Sequence, residues 1–283
     1  MNRIVYVNGD YVAEDEAKIS IFDRGFLFAD GVYEVTSVLG GKLIDFQGHA
    51  ERLLRSLSEL KMENPLSDKE LLSVHRELIC RNNIAEGLVY LQITRGQADR
   101  DFVFPKNVSP TVIMFTQEKV MSNSLSSRLG LKVISIEDQR WGRCDIKTVQ
   151  LLYACMGKML AVAAKADDAW MVKDGKVTEG TSNNAYIITG DKIITRQVSN
   201  EILHGITRSA LIKYAERAEM IIEERPFTIE EAKSADEAFI TSATLFATPV
   251  IEIDGIKIGN GKPGERVNHL RKIYIEESIK TAI

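Results

Sequence analysis

The sequence predicts an α+β fold in two domains, and three observations carry that expectation. Tight-turn dipeptides (Asn8-Gly9, Asp174-Gly175, Asp254-Gly255) lie between short β-type runs, as in hairpins. Helical segments come in groups with their own caps instead of alternating one-for-one with strands. Gln117–Ser127 is polar and Ser-rich and supplies a linker. No G-x-G-x-x-G follows a strand, which agrees with α+β over a doubly wound parallel sheet. The expected partition is a small N-terminal α+β domain over 1–117, a linker over 118–127 and a large C-terminal domain over 128–283.

Each element follows from local chemistry. Ile4–Val7 reads as a strand that returns through Asn8-Gly9 into Tyr11-Val12. Asp45 is placed to cap a helix from Phe46 to about Lys61, with Leu53, Leu57 and Leu60 on one face. Ser67 and Glu70 form a capping-box pair opening a second helix to about Cys80. Strands follow at Leu88–Thr94, Thr111–Thr116 and Leu131–Ile136. Thr148–Ala166 reads as a strongly apolar helix, and Ala185–Ile188 as a strand. A helix is expected over Ser209–Met220, Thr228 with Glu231 is a second capping box, and Glu265–Lys280 closes the chain as helix.

Composition narrows the function. Of 283 residues, 45% are hydrophobic and 27% charged, which suits a folded globular chain. Thirty-six basic against 40 acidic side chains, net −4, are too balanced for a dedicated nucleic-acid binder. No apolar run approaches the roughly 20 residues that span a bilayer, and the first ten residues carry no signal-peptide pattern. Cys80, Cys144 and Cys155 are odd in number and widely spaced, so a reducing, cytoplasmic setting is expected. The four histidines and three cysteines make no zinc pattern, so no metal is expected. Phosphate-loop and serine-hydrolase motifs are missing as well.

Three short segments are candidates for chemistry. Gly205-Ile206-Thr207-Arg208, a Gly followed by a Thr cap, opens a helix whose N–H groups suit a phosphate, although such caps are common. Lys147 stands where a polar loop meets an apolar segment, where partial burial makes a nucleophile; a solvated lysine beside Asp145 is the plainer reading. Thr178-Glu179-Gly180-Thr181-Ser182-Asn183-Asn184 sets a carboxylate before a run of small donors, as a cofactor loop or merely a hairpin loop. Together they offer a lysine, a carboxylate and an anion site, the three things pyridoxal phosphate requires.

At these residues the chain resembles the fold-type IV pyridoxal-phosphate aminotransferases, most closely the bacterial D-amino acid (D-alanine) aminotransferases. The matching segments are Asp23–Val35, Thr94-Arg95-Gly96, Arg140–Lys147, Thr178-Glu179-Gly180 and Gly205–Arg208, with Thr248–Gly255 beyond them. The resemblance implies Lys147 as the Schiff-base lysine and proton shuttle, and Glu179 as partner of the pyridine nitrogen. It implies Arg52, Ile206, Thr207 and Ala243 at the phosphate, Leu203 behind the ring and Ser182 near its edge. Tyr33 and Arg100 are implied at the substrate carboxylate, Arg100 reaching in from the second subunit of a homodimer. Two positions depart from the pattern. Phe102 replaces a histidine of the carboxylate trap, and Ala243 replaces a phosphate-binding threonine.

The implied reaction exchanges the amino group of a D-amino acid with the keto group of a 2-oxo acid. Branched-chain L-aminotransferases and aminodeoxychorismate lyase share the fold and are the rival enzymes. A catalytically silent binding module is the rival of another class, against which Lys147, Glu179 and Arg52 stand together.

Overall fold

The computed structural model describes residues 3–283; Met1 and Asn2, included in the N-terminal reading, lie outside the described residues. The chain divides into two compact units. The first comprises the residues up to Val120 with Ile146–Gln150 and Ala282–Ile283; the second comprises Met121–Asp145 and Leu151–Thr281.

The first unit is built on an antiparallel six-stranded sheet. Its strands are β1 (Ile4–Val7), β2 (Asp10–Ala13), β3 (Gly31–Leu39), β4 (Lys42–Leu43), β5 (Glu86–Thr94) and β6 (Thr111–Glu118), in the order β2-β1-β6-β5-β3-β4. Asn8 and Gly9 both take positive φ, 49° and 110°, which closes the first hairpin with Val7 opposite Asp10. A short helix α1 (Arg24–Phe28) precedes β3 and is capped by Asp23, whose side chain accepts from the Gly25 N–H. Helices α2 (Phe46–Glu59) and α3 (Asp68–Arg81) bury Leu53, Leu57, Leu71, Val74 and Leu78 in one core with Val89, Leu91 and Ile93 of β5. Each fully buried leucine contributes about 1.5–3 kcal/mol.

The Ser67–Glu70 box forms as the pattern predicts: Ser67 Oγ accepts from Glu70 N–H at 3.3 Å and Glu70 Oε2 from Ser67 N–H at 2.8 Å. Asp45 does not cap α2. It sits at φ 53°, a left-handed conformation that aspartate tolerates, and its side chain makes no capping bond.

The expected helix over 148–166 starts later, with α5 at Leu152–Ala163. Lys147, Thr148 and Val149 before it are claimed by β3: Tyr33 N–H donates to Lys147 O (3.0 Å), Val149 N–H to Gly31 O (3.1 Å), and Thr148 bridges Val32. That edge pairing is why Ile146–Gln150 groups with the first unit, whereas the sequence pattern assigns Lys147 to the C-terminal domain.

The second unit is a curled mixed sheet with helices around it. Its strands are β7 (Leu131–Glu137), β8 (Asp168–Lys173), β9 (Lys176–Gly180), β10 (Asn184–Thr189), β11 (Lys192–Thr195), β12 (Ile221–Glu224), β13 (Glu237–Ser242), β14 (Phe246–Ile253) and β15 (Ile256–Lys257). The order is β12-β11-β10-β13-β14-β7-β8-β9, with β15 paired to β14. Asp174-Gly175 closes the β8–β9 hairpin and Asp254-Gly255 the β14–β15 hairpin, all four residues at positive φ.

Trp170, Phe227, Ile187, Ile240 and Val250 form its core. Around the sheet stand α4 (Leu125–Leu129), α5, α6 (Ile206–Arg217), α7 (Ile229–Lys233) and α8 (Glu265–Thr281). The Thr228–Glu231 box caps α7. Part of the Ser-rich linker is itself ordered, because Ser124 Oγ accepts from Ser127 N–H at 3.2 Å and starts α4.

Candidate active site

In the first unit, the β3 edge pairing presents Lys147 beside Tyr33. The Lys147 Nζ lies 4.0 Å from the centroid of the Tyr33 ring, close enough for a cation–π contact. Tyr33 stacks on Tyr90, and Tyr90 on Phe115, at centroid distances of 5.7 and 4.7 Å. Burial pushes the Tyr90 hydroxyl up to about 12, so it stays protonated at neutral pH.

Arg52 projects from α2 into a buried cluster. Its Nε donates to Glu34 Oε1 and its Nη2 to Glu34 Oε2, both at 2.8 Å, a bidentate fork. His49 Nδ1 bonds Glu34 Oε2 at 2.7 Å. Burial alone would raise the Glu34 carboxyl, but the Arg52 guanidinium and these hydrogen bonds hold it well below the usual range. Glu34 and His49 therefore fix the fork of Arg52, a role that no local pattern in the sequence announces.

Arg100 lies in the long loop between β5 and β6. Its guanidinium stands 5.4 Å from the ring centroids of both Phe28 and Phe102. Phe102 is 78% exposed and meets Phe28 edge-on.

In the second unit, Glu179 sits on β9, in the sheet itself, not in a hairpin loop. Its carboxylate is buried and receives three donors, one of them shared between both oxygens. These are Arg140 Nη1 at 2.6 Å, Asn184 Nδ2 at 3.0 Å, and the Leu203 N–H at 3.2 and 3.1 Å to its two oxygens. Burial pushes its carboxyl up, and Arg140 pulls against that shift. Arg140 also donates to Asp138 through Nε (2.9 Å) and Nη2 (2.7 Å), and Thr178 Oγ1 donates to Asp138 Oδ2 at 2.6 Å. Burial would raise Asp138, but Arg140 brings it below the ordinary aspartate range.

Leu203 thus touches Glu179 through its backbone. Gly205, not a threonine, is the N-cap of α6, with Ile206 and Thr207 in its first turn, where N–H groups lack intrahelical partners. Gly205 is required there: a Cβ would fall on Asn184 Oδ1, well inside van der Waals contact. Asn184 in turn pairs in register with Thr241, so Glu179, the first turn of α6 and the end of β13 gather around one amide side chain.

Ser182 is exposed between Thr181 and Asn183, which donate to buried Asp168 at 2.5 and 2.6 Å. Next to Ala243, the Ser242 hydroxyl is buried and has no hydrogen-bond partner among the described residues. Sequence reasoning gives no role to Arg140, Glu34 or Ser242, although Arg140 and Glu34 lie inside the matching segments and Ser242 adjoins Ala243.

Within the second unit, a carboxylate held by arginine and amide donors and a helix N-terminus are the kinds of group that pyridoxal phosphate requires, and the first unit carries a lysine on a sheet edge. The family model for amino-transferase class IV matches residues 31–253, and the chain belongs to that family. It is 38% identical to the D-alanine aminotransferase of Staphylococcus haemolyticus over 270 residues, 95% of each chain. It is 38% identical to that of Bacillus licheniformis over 281 residues, 98% of this chain and 99% of the relative.

The solved branched-chain amino acid aminotransferase of Escherichia coli matches with a TM-score of 0.88 at 20% identity, over 98% of this chain and 95% of that one. The T.th. branched-chain amino acid aminotransferase, solved with pyridoxamine 5′-phosphate, matches with a TM-score of 0.89 at 25% identity, over 98% and 94%.

Pyridoxal phosphate is the cofactor of class IV aminotransferases, and the residues present fit it. The buried, partnerless Ser242 hydroxyl calls for an acceptor or donor from outside the protein. It stands one residue from Thr241, whose register partner Asn184 bonds Glu179.

Proposed function

We propose that the chain transfers amino groups between D-amino acids, D-alanine and D-glutamate among them, and 2-oxo acids such as 2-oxoglutarate or pyruvate. The single observation that carries this is the 38% identity to D-alanine aminotransferases across 95% or more of the chain. The branched-chain L-amino acid reading rests on structures only 20% and 25% identical, a likeness that speaks to fold more than to substrate.

When bound, pyridoxal phosphate supplies a carbonyl for the amino group and a ring that takes the electron pair left on Cα. Lys147 binds the cofactor and moves the proton between the substrate Cα and the cofactor C4′. Glu179, kept anionic by Arg140, holds the proton on the pyridine nitrogen. Arg52, oriented by Glu34, binds the phosphate with the first-turn N–H groups of Ile206 and Thr207 and the hydroxyl of Ser242. Leu203 would back the ring of the bound cofactor and Ser182 would stand at its edge.

Tyr33 and Arg100 hold the α-carboxylate, which decides the enantiomer whose Cα–H faces Lys147. Phe102, in place of a polar donor, leaves Arg100 with more of that task. A homodimer supplies Arg100 to its partner's site. Supporting it are exposed apolar side chains on each unit: Phe26, Phe102 and Val103 on the first, Leu152, Met156 and Met159 on α5 of the second. We place the protein in the cytoplasm, on the three free cysteines. No helix among the described residues is long and apolar enough to cross a membrane.

The test is a coupled assay offering D-alanine, D-glutamate, L-leucine and (R)-phenylethylamine with 2-oxoglutarate. Turnover of the D-amino acids is expected; faster turnover of L-leucine would replace this reading with the branched-chain one.

A further inference from the structure

The loop from Gly96 to Pro110 joins β5 to β6 without regular structure, yet it carries Arg100, the side chain proposed above to hold the substrate carboxylate. Its base is tied by backbone bonds, Arg24 N–H to Gly96 O (2.9 Å) and Ala98 N–H to Phe22 O (3.1 Å). Beyond Ala98 the fastening changes character. Arg24 Nη1 donates to Asp101 O at 2.6 Å, immediately after Arg100. The Phe104 ring lies 3.7 Å from the Arg95 guanidinium.

Both arginines are anchored on one carboxylate: Arg24 Nε and Arg95 Nε each donate to Asp30 Oδ2 at 2.8 Å. All three side chains are more than nine-tenths buried. Two buried guanidiniums on a single carboxylate leave one positive charge uncompensated, an expensive way to fasten a loop if apolar packing would serve. The remaining charge is spread over the Asp101 carbonyl, the Leu60 carbonyl (2.9 Å from Arg95 Nη2) and the faces of Phe28 and Phe104. Arg100 therefore stands between two fixed points, Gly96–Ala98 before it and Asp101 with Phe104 after it.

We propose that Arg24 and Asp30 are positioning residues for the substrate carboxylate, acting through the loop whose Arg100 they hold in place. This rests on the reading of Arg100 as the carboxylate-binding group. Neither residue needs to touch substrate. Arg24 sets where the Arg100 backbone stands, and Asp30 keeps Arg24 and Arg95 together beneath it. Loss of the Asp101 contact frees the loop, so more order must be imposed when substrate binds, and the penalty falls on binding and not on the proton transfer at Lys147.

The experiment pairs steady-state kinetics with amide exchange on the holoenzyme, comparing Arg24→Gln, Arg24→Lys and Phe104→Leu with the parent. Arg24→Gln is expected to raise KM for D-alanine and for 2-oxoglutarate about tenfold, the size of one lost charge-assisted hydrogen bond. Its kcat should stay within about threefold, and exchange should speed up at residues 100–104 but not in β3 or β5. Arg24→Lys should recover part of the KM, since an ammonium keeps the charge but not the fork. Phe104→Leu, at a half-exposed position, should shift KM in the same direction by about threefold and serves if Arg24→Gln does not fold.

An unchanged KM, a fall in kcat at constant KM, or faster exchange spread through β3 and β5 would overturn the proposal. If the parent itself turns over no D-amino acid, the functional reading fails, while loop exchange still reports whether Arg24 anchors residues 100–104.

Discussion

Replacing Arg140 with methionine removes a guanidinium from between two buried carboxylates and leaves an unbranched side chain about as long as the arginine stem. In the structure, that guanidinium gives Glu179 a 2.6 Å hydrogen bond and Asp138 two more at 2.9 and 2.7 Å. Each carboxylate side chain is only 5% exposed, so water cannot replace the lost partner. Breaking a buried pair from one side costs about 3–5 kcal/mol, because the charge left behind is uncompensated. At pH 8 the variant should therefore unfold about 4 kcal/mol more readily than the parent.

The pH dependence gives a second check on the same number. Burial already pushes Glu179 up, and without Arg140 its folded value rises further above that of the unfolded chain. A carboxyl with a raised folded value binds its proton in the native state first, so the variant's deficit is largest at pH 8 and shrinks toward pH 5. Urea unfolding at fixed cofactor concentration, followed by the fluorescence of buried Trp170, reads both quantities. Adding Glu179→Gln should return part of the loss, since it removes the stranded charge. A deficit below about 1 kcal/mol at pH 8, or one that is flat from pH 5 to 8, would refute the assignment of Arg140 as the group that keeps Glu179 ionised.

Three further outcomes are expected. His75 is buried edge-on to Phe46, and burial lowers its imidazole from 6.5 to about 4. The unfolded chain takes up a proton below pH 6.5 that the native state refuses, so stability should fall by about 3 kcal/mol between pH 6.5 and 4. His75→Leu should flatten that part of a Tm-versus-pH curve; an unchanged slope would show that His75 is not its source. Gly205→Ala should weaken cofactor binding about tenfold in a fluorescence titration, because the new methyl displaces Asn184 from Glu179; unaltered affinity would count against the crowding around Asn184. Borohydride reduction should fix the cofactor on Lys147 in a peptide map, and Lys147→Ala should bind it weakly without transaminating; label on another lysine defeats the assignment.

Strands and hairpins were legible because their signals are local. Asn8-Gly9, Asp174-Gly175 and Asp254-Gly255 all turn as their dipeptides require, and both capping boxes form where three-residue spacing places them. The start of α5 was not legible. Thr148–Gln150 carry a helical apolar pattern, but β3, more than 110 residues earlier in the chain, takes up the backbone groups before them.

The site divides in the same way. The lysine, the carboxylate and the Gly205–Arg208 helix start stand out in the sequence because the cofactor demands those residue types. The groups that hold them do not. Glu34 meets Arg52 from 18 residues away, Arg140 meets Glu179 from 39, and nothing in local composition foretells either contact. Ser242 shows itself only as a buried hydroxyl that the protein leaves without a partner among the described residues.

The most direct test of the central claim is a single half-reaction, with no acceptor present. Holoenzyme mixed with excess D-alanine should lose its yellow absorbance in one phase and release one pyruvate per chain, while L-leucine under the same conditions leaves the spectrum unchanged. Bleaching by L-leucine that outpaces D-alanine, or no pyruvate from D-alanine, would contradict the account.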